Sequence, residues 1–133
     1  MTVPFLHIVD VTADRLKAAG CRKPLLLATR YTMENGFYPA RMETHGIEVM
    51  TPDADGRGLT HDIIFNELCL GVVRDSSRQA LLGLVERAKA DGADSLIFGC
   101  TEIGMILNVD GCPVPAFDST DIHAMAAVDF ALA

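Results

Sequence analysis

The chain has 133 residues, half of them apolar and 22% charged, with a net charge of −7 at pH 7. That length builds one domain with a real core rather than two. The acidic balance excludes the basic patch of a nucleic-acid surface, and no apolar run is long enough to cross a bilayer.

In chain order, PFLHIV (4–9) reads as a short apolar strand. DVTADRLKAAG (10–20) reads as a helix, with Asp10 or Thr12 as its N-cap and Gly20 as its stop. PLLLAT (24–29) is a continuous apolar run, the pattern of a parallel strand covered on both faces. Residues 32–45 read as helical, opening with Thr32 and Glu34, with Pro39 as an interruption. IEVM (47–50) reads as another strand, followed by the turn-rich loop TPDADGRG. LTHDIIFNELCLG (59–71) has helical spacing, with Thr60, Ile63, Ile64 and Leu68 near one face. Asp75-Ser76-Ser77 caps a long helix whose stripe is Leu81, Leu84, Val85 and Ala88, and Gly92 ends it. SLIFG (95–99) is the next strand and EIGMIL (102–107) a short helix. VPAF (114–117) is a last strand, and STDIHAMAAVDFALA (119–133) a C-terminal helix capped by Ser119 or Thr120. This alternation specifies an α/β fold: a single mostly parallel sheet flanked by helices, with right-handed crossovers.

In such a sheet the carboxyl ends of the strands gather at one edge, where loops build sites. Three strands end in reactive or hydrogen-bonding groups: Thr29-Arg30-Tyr31-Thr32, Cys100-Thr101-Glu102 and Asp118-Ser119-Thr120. Clustered hydroxyls and free helix N–H groups suit a carboxylate ligand. Cys100 admits two readings. A helix start beside it would favour the thiolate, a nucleophile or proton acceptor. Free cysteine is also among the most buried residue types, so Cys100 could equally be a small core residue at a strand end.

The other candidates read more plainly. Cys69 lies beside a helix's apolar stripe and is expected in the core, whereas Cys21 and Cys112 sit in turns and are expected to be incidental. The four cysteines form no CxxC pair, and none stands at zinc spacing from a histidine. The expectation is reduced thiols, no metal and a cytoplasmic protein without an export signal. His123 could point at the same edge, while His7, His45 and His61 suggest no constellation. Arg74 could grip a carboxylate in bidentate fashion.

LLLATRYTMENGFYPARMETHGIEVMTPD, IIFNELCLGVVRDSSRQALL, SLIFGCTEIGMIL and VPAFDSTDIHAMAAVDFAL together closely resemble the aspartate/glutamate racemase family. The resemblance implies a cofactor-independent racemase of two similar α/β lobes, with the site in the cleft and one catalytic residue from each lobe. Inversion at a carbon calls for bases on opposite faces, since one base tends to return the proton where it came from. Carried onto this chain, Cys100 of GCTE is the second-lobe catalytic thiol. Thr29, Thr32, Thr101, Glu102 and His123 fall at substrate-binding positions, and Thr29 and Thr101 would lie near the substrate carboxylates. Arg74 stands where the family often has a lysine gripping the side-chain carboxylate, an exchange that keeps the charge and changes its geometry. Glu102 marks the aspartate-type branch.

The resemblance covers only the family's second half. No N-T-x-H block occurs, so the first lobe is expected to be absent and residues 1–133 to form a single α/β domain. Four readings follow. One is a racemase for small acidic amino acids, incomplete as a monomer. Another is a homodimer, or a partner chain supplying the missing lobe, that completes the site. The third is a non-catalytic dicarboxylate-binding module or fragment, and the fourth is cysteine hydrolysis, which lacks a visible Cys-His-Asn arrangement.

Overall fold

The computed structural model describes residues 8–34, 36–99, 102–108, 111–118, 122 and 124. Three strands, β1 (Pro24–Leu27), β2 (Ser95–Phe98) and β3 (Ala116–Asp118), form a parallel sheet in the order β1-β2-β3. Leu27 pairs with Phe98 and Phe98 with Asp118, so the three carboxyl ends lie level at one edge. Six helices accompany them among the described residues: α1 (Ile8–Ala18), α2 (Arg30–Glu34), α3 (Phe37–Glu43), α4 (Ala54–Asn66), α5 (Asp75–Ala90) and α6 (Ile103–Ile106).

The apolar runs of β1 and β2 are buried along their whole length. Successive side chains take opposite faces, as the pleat requires. Leu25, Leu27, Leu96 and Phe98 join one core cluster, in which α4 and α5 contribute Ile63, Ile64, Leu81, Leu84 and Val85. Leu26, Ala28 and Ile97 join the other, with Val9, Ala13 and Leu16 of α1 and Met42 of α3. A strand with a core on each side has no polar face to show, hence its unbroken apolar sequence. Each fully buried leucine, isoleucine or phenylalanine contributes roughly 1.5–3 kcal/mol.

The amino edge is closed by one carboxylate. Asp94 Oδ2 accepts the Arg22 N–H at 2.8 Å, and its Oδ1 accepts the Lys23 N–H at 3.0 Å and the Ser95 hydroxyl at 2.8 Å. Burial pushes the Asp94 carboxyl pKa up, but these bonds outweigh it and hold the group below its ordinary value.

Several elements differ from the sequence expectation. Residues 4–7 of the expected first strand lie outside the described residues, while Ile8 and Val9 open α1 rather than close a strand. Val9, Ala13 and Leu16 are buried at helical spacing, so Asp10 and Thr12 stand inside α1 rather than at its N-cap. The 32–45 helix is two helices, and Pro39 falls in the first turn of α3, where its missing N–H breaks no bond. Residues 47–50 make only a bridge, Met50 to Leu25, with the Met50 N–H donating to Pro24 O and Leu26 N–H to Met50 O.

Two further differences concern the α4 region and the far end of the chain. α4 starts five residues early, because the Asp53 side chain accepts the Gly56 N–H at 2.8 Å and caps it. The C-terminal helix lies outside the described residues apart from Ile122 and Ala124, both helical.

Candidate active-site edge

α2 follows β1 directly, so the sequence after Leu27 turns at the carboxyl edge. The Thr29 carbonyl accepts the Met33 N–H at 3.0 Å, and one helical turn brings the Thr29 and Thr32 hydroxyls to 3.2 Å. Two of the chosen threonines therefore meet. A five-residue helix is too short to stand alone, and α4 supports it from the side. The Arg30 N–H donates to His61 Nδ1 at 3.0 Å. Arg57 Nε donates to Glu34 at 3.1 Å while its Nη1 donates to the Pro52 carbonyl at 2.8 Å. A Cβ at Gly58 would lie 2.9 Å from an Arg30 guanidinium nitrogen, so a glycine there makes room for that side chain.

β2 reaches the same edge through Gly99. Its N–H donates to Leu27 O at 2.9 Å, and a Cβ there would come within 2.8 Å of both Ala28 Cβ and Leu26 Cδ1. Only glycine allows the two strand ends to approach this closely. Cys100 comes next in sequence; Cys100, Thr101 and His123 lie outside the described residues. Glu102 immediately precedes α6, and the Cys69 thiol lies 4.0 Å from its carboxylate, the outer reach of a sulfur hydrogen bond. α6 is a single turn, so its dipole is that of one turn. Its last carbonyl, Ile106 O, accepts from Arg78 Nε at 2.8 Å. A cavity of about 610 Å³ opens beside α6, lined by Arg78, Met105, Asn108, Cys112 and Asp118 among others.

α5 leads into β2, so its start faces the carboxyl edge. Arg74 sits just before it with extended backbone, 65% exposed, its Nε 3.8 Å from Glu67. The same Glu67 oxygen accepts the Ser77 hydroxyl at 2.6 Å. Arg74 is thus steered by a carboxylate that sequence reasoning had not singled out.

The cysteine and histidine readings need three corrections. Cys69 is exposed, because the chain breaks from helical geometry at Glu67 and continues as the 3-10 turn Leu68–Leu70. Cys21 is a core residue, buried with Leu16 and Leu26, and burial pushes its thiol pKa up. His45 does join a constellation: its Nε2 lies 2.8 Å from Asp10, which Arg41 also grips through two bonds of 2.8 Å. The Arg41 and His45 contacts hold the Asp10 carboxyl well below the usual carboxylate range. That cluster joins α1 to the end of α3.

The sequence pattern of the Asp/Glu/Hydantoin racemase family matches residues 1–127. The chain belongs to that family. It is 49% identical to a Yersinia pestis protein crystallised as a candidate Asp/Glu racemase, with a TM-score of 0.93 over 98% of this chain and 57% of that one. An aspartate racemase homologue from Pyrococcus horikoshii OT3 is 31% identical, with a TM-score of 0.93 over 100% of this chain and 58% of that one. The broad specificity amino-acid racemase RacX of Bacillus subtilis (strain 168) is 25% identical over 136 residues, which are 57% of its length. Residues 1–133 thus span little more than half of these relatives and match a single lobe of the racemase fold. Among the described residues no helix is long and apolar enough to cross a membrane.

Proposed function

We propose that this chain forms one lobe of a cofactor-independent amino-acid racemase for short acidic amino acids, with Cys100 as the thiol that exchanges the Cα proton. The observation that carries the reading is a 49%-identical fold match to a single lobe, together with a carboxyl edge where Thr29 and Thr32 present paired hydroxyls. In this reading those hydroxyls, with Thr101 and His123, hold the substrate carboxylates. Arg74 swings from Glu67 to the side-chain carboxylate, a pairing its exposure permits. Glu102, immediately before α6, joins them as a substrate-binding group.

The chemistry needs a thiolate on one face of Cα to take the proton and a second acid on the other face to return one. Cys100 supplies the first. The second comes from an opposing lobe, either a second copy of this chain related by a two-fold axis or another polypeptide segment. Cytoplasmic thiols stay reduced, as this role demands.

The test is solvent deuterium incorporation at Cα of L- and D-aspartate and glutamate, comparing the chain with its Cys100→Ser variant. Exchange in the wild type that falls by about 10²–10⁴-fold in the variant, the usual weight of a positioned acid–base group, is the expected result. Exchange that survives the substitution removes Cys100 from the role of base. Ligand binding without any exchange would leave a dicarboxylate-binding module instead.

A further inference from the structure

The threonine turn of α2 owes its position to a residue on another helix. Of the first-turn N–H groups that a helix leaves without an internal partner, that of Arg30 is taken up by His61 Nδ1 at 3.0 Å. Accepting that hydrogen bond requires an Nδ1 that carries no hydrogen, so the bond belongs to the ring form whose hydrogen is on Nε2. Its ring is held from behind by Phe65, one turn on in α4, at 4.6 Å between centroids.

We propose that His61 is a positioning residue: as a neutral imidazole it holds the Thr29–Thr32 turn in place through the Arg30 backbone, and its protonation releases that turn. A second proton on the ring would set an N–H against the Arg30 N–H, turning an attraction into a repulsion. The neighbouring charges are largely committed to one another. Arg30 and Arg57 both engage Glu34 across α2 and α4, and Arg78 engages Asp75 at the start of α5. Glu67, at the end of α4, faces Arg74, and Asp62 is exposed beside His61 on α4. None of these replaces the acceptor at Arg30, so the hold depends on the imidazole. The proposal rests on the reading of Thr29 and Thr32 as substrate-binding hydroxyls.

The experiment has two arms on the full chain. In the first, without ligand, the Arg30 amide signal and its hydrogen exchange are followed between about pH 5 and 8, where imidazole changes charge. The amide is expected to track the His61 ring in the wild type and to lose that dependence in His61→Asn and His61→Ala. Its exchange should rise at least about tenfold in H61A, the equivalent of 1.4 kcal/mol, and return in H61N, whose side-chain oxygen replaces Nδ1. In the second arm, KM for aspartate in Cα deuterium exchange is expected to rise several-fold in H61A and below the imidazole titration in the wild type. H61N should restore it at every pH, with kcat little changed.

An Arg30 amide indifferent to His61 overturns the proposal. So does an amide that loses its bond in H61A while KM stays unchanged, because the residue would then hold a turn the site does not use. A wild type that leaves Cα protons untouched at every pH instead overturns the racemase reading, and the proposal with it; the ligand-free arm would still tell whether the His61 clamp exists.

Discussion

At the amino edge of the sheet, Asp94 accepts three bonds from Arg22, Lys23 and Ser95 and locks the entries of β1 and β2 together. At the carboxyl edge, Thr29 and Thr32 bond one another, Arg74 is steered by a carboxylate 3.8 Å away, and an exposed thiol stands beside Glu102. The same edge displays large apolar side chains: Tyr31 is 75% exposed, Leu70 73% and Met105 48%. One edge spends its polar groups on holding the fold. The other gathers hydroxyls, a guanidinium and exposed apolar side chains, the groups that the proposed ligand and opposing lobe would engage.

Gly99→Ala breaks this division most severely. Its methyl would press on Ala28, Leu26 and, at 3.3 Å, the Leu27 carbonyl, which cannot move without parting the strands. Overpacking of this kind costs about 1–3 kcal/mol, and Cα exchange should fall as well because Cys100 is the next residue. Urea denaturation and the exchange assay, run side by side, measure both. A neutral result in both would show that the strand ends tolerate separation.

Asp94→Asn should touch stability alone. Losing charge-assisted bonds costs about 1–3 kcal/mol, with Cα exchange unchanged. Because the folded-state pKa of Asp94 is depressed, its contribution is full above the ordinary carboxylate range and disappears as pH falls through the lowered value. The gap between wild type and variant in thermal unfolding should therefore narrow in acid. A gap that widens in acid would contradict the assigned direction.

Arg74→Ala is the mildest change for the fold, within about 0.5 kcal/mol, since the side chain is exposed and makes one long ion pair. Its effect should appear in KM for aspartate, whose side chain carries the second carboxylate, and not for a neutral amino acid. Equal effects on both would leave Arg74 without a role in specificity.

What the sequence revealed depended on how local the cause was. LLL and LIF announced central strands because burial on both faces leaves nothing to alternate. Thr29 and Thr32 were legible as edge residues because they follow an apolar strand, but their meeting was not, because the helix was expected to open at Thr32 and opens at Arg30. The start of α4 was hidden because Pro52, Gly56 and Gly58 look like loop residues. Yet a Cβ at Gly56 would lie 2.7 Å from Pro52 and 3.0 Å from Leu84, and one at Gly58 would meet Arg30, so the glycines serve close packing. Cys69 was misplaced because helical periodicity was carried through the break at Glu67. The pairs His61–Arg30 and His45–Asp10 join residues 31 and 35 apart, and no local pattern announces such meetings.

The central claim is that the carboxyl edge, and not the amino edge, receives the amino acid. Backbone amide shifts measured while L-aspartate is titrated into the chain test it most directly. Shifts gathered in residues 28–33 and 99–104, with Arg22, Lys23 and Asp94 still, are the predicted result; shifts centred on those three, or none near Thr29, would contradict it.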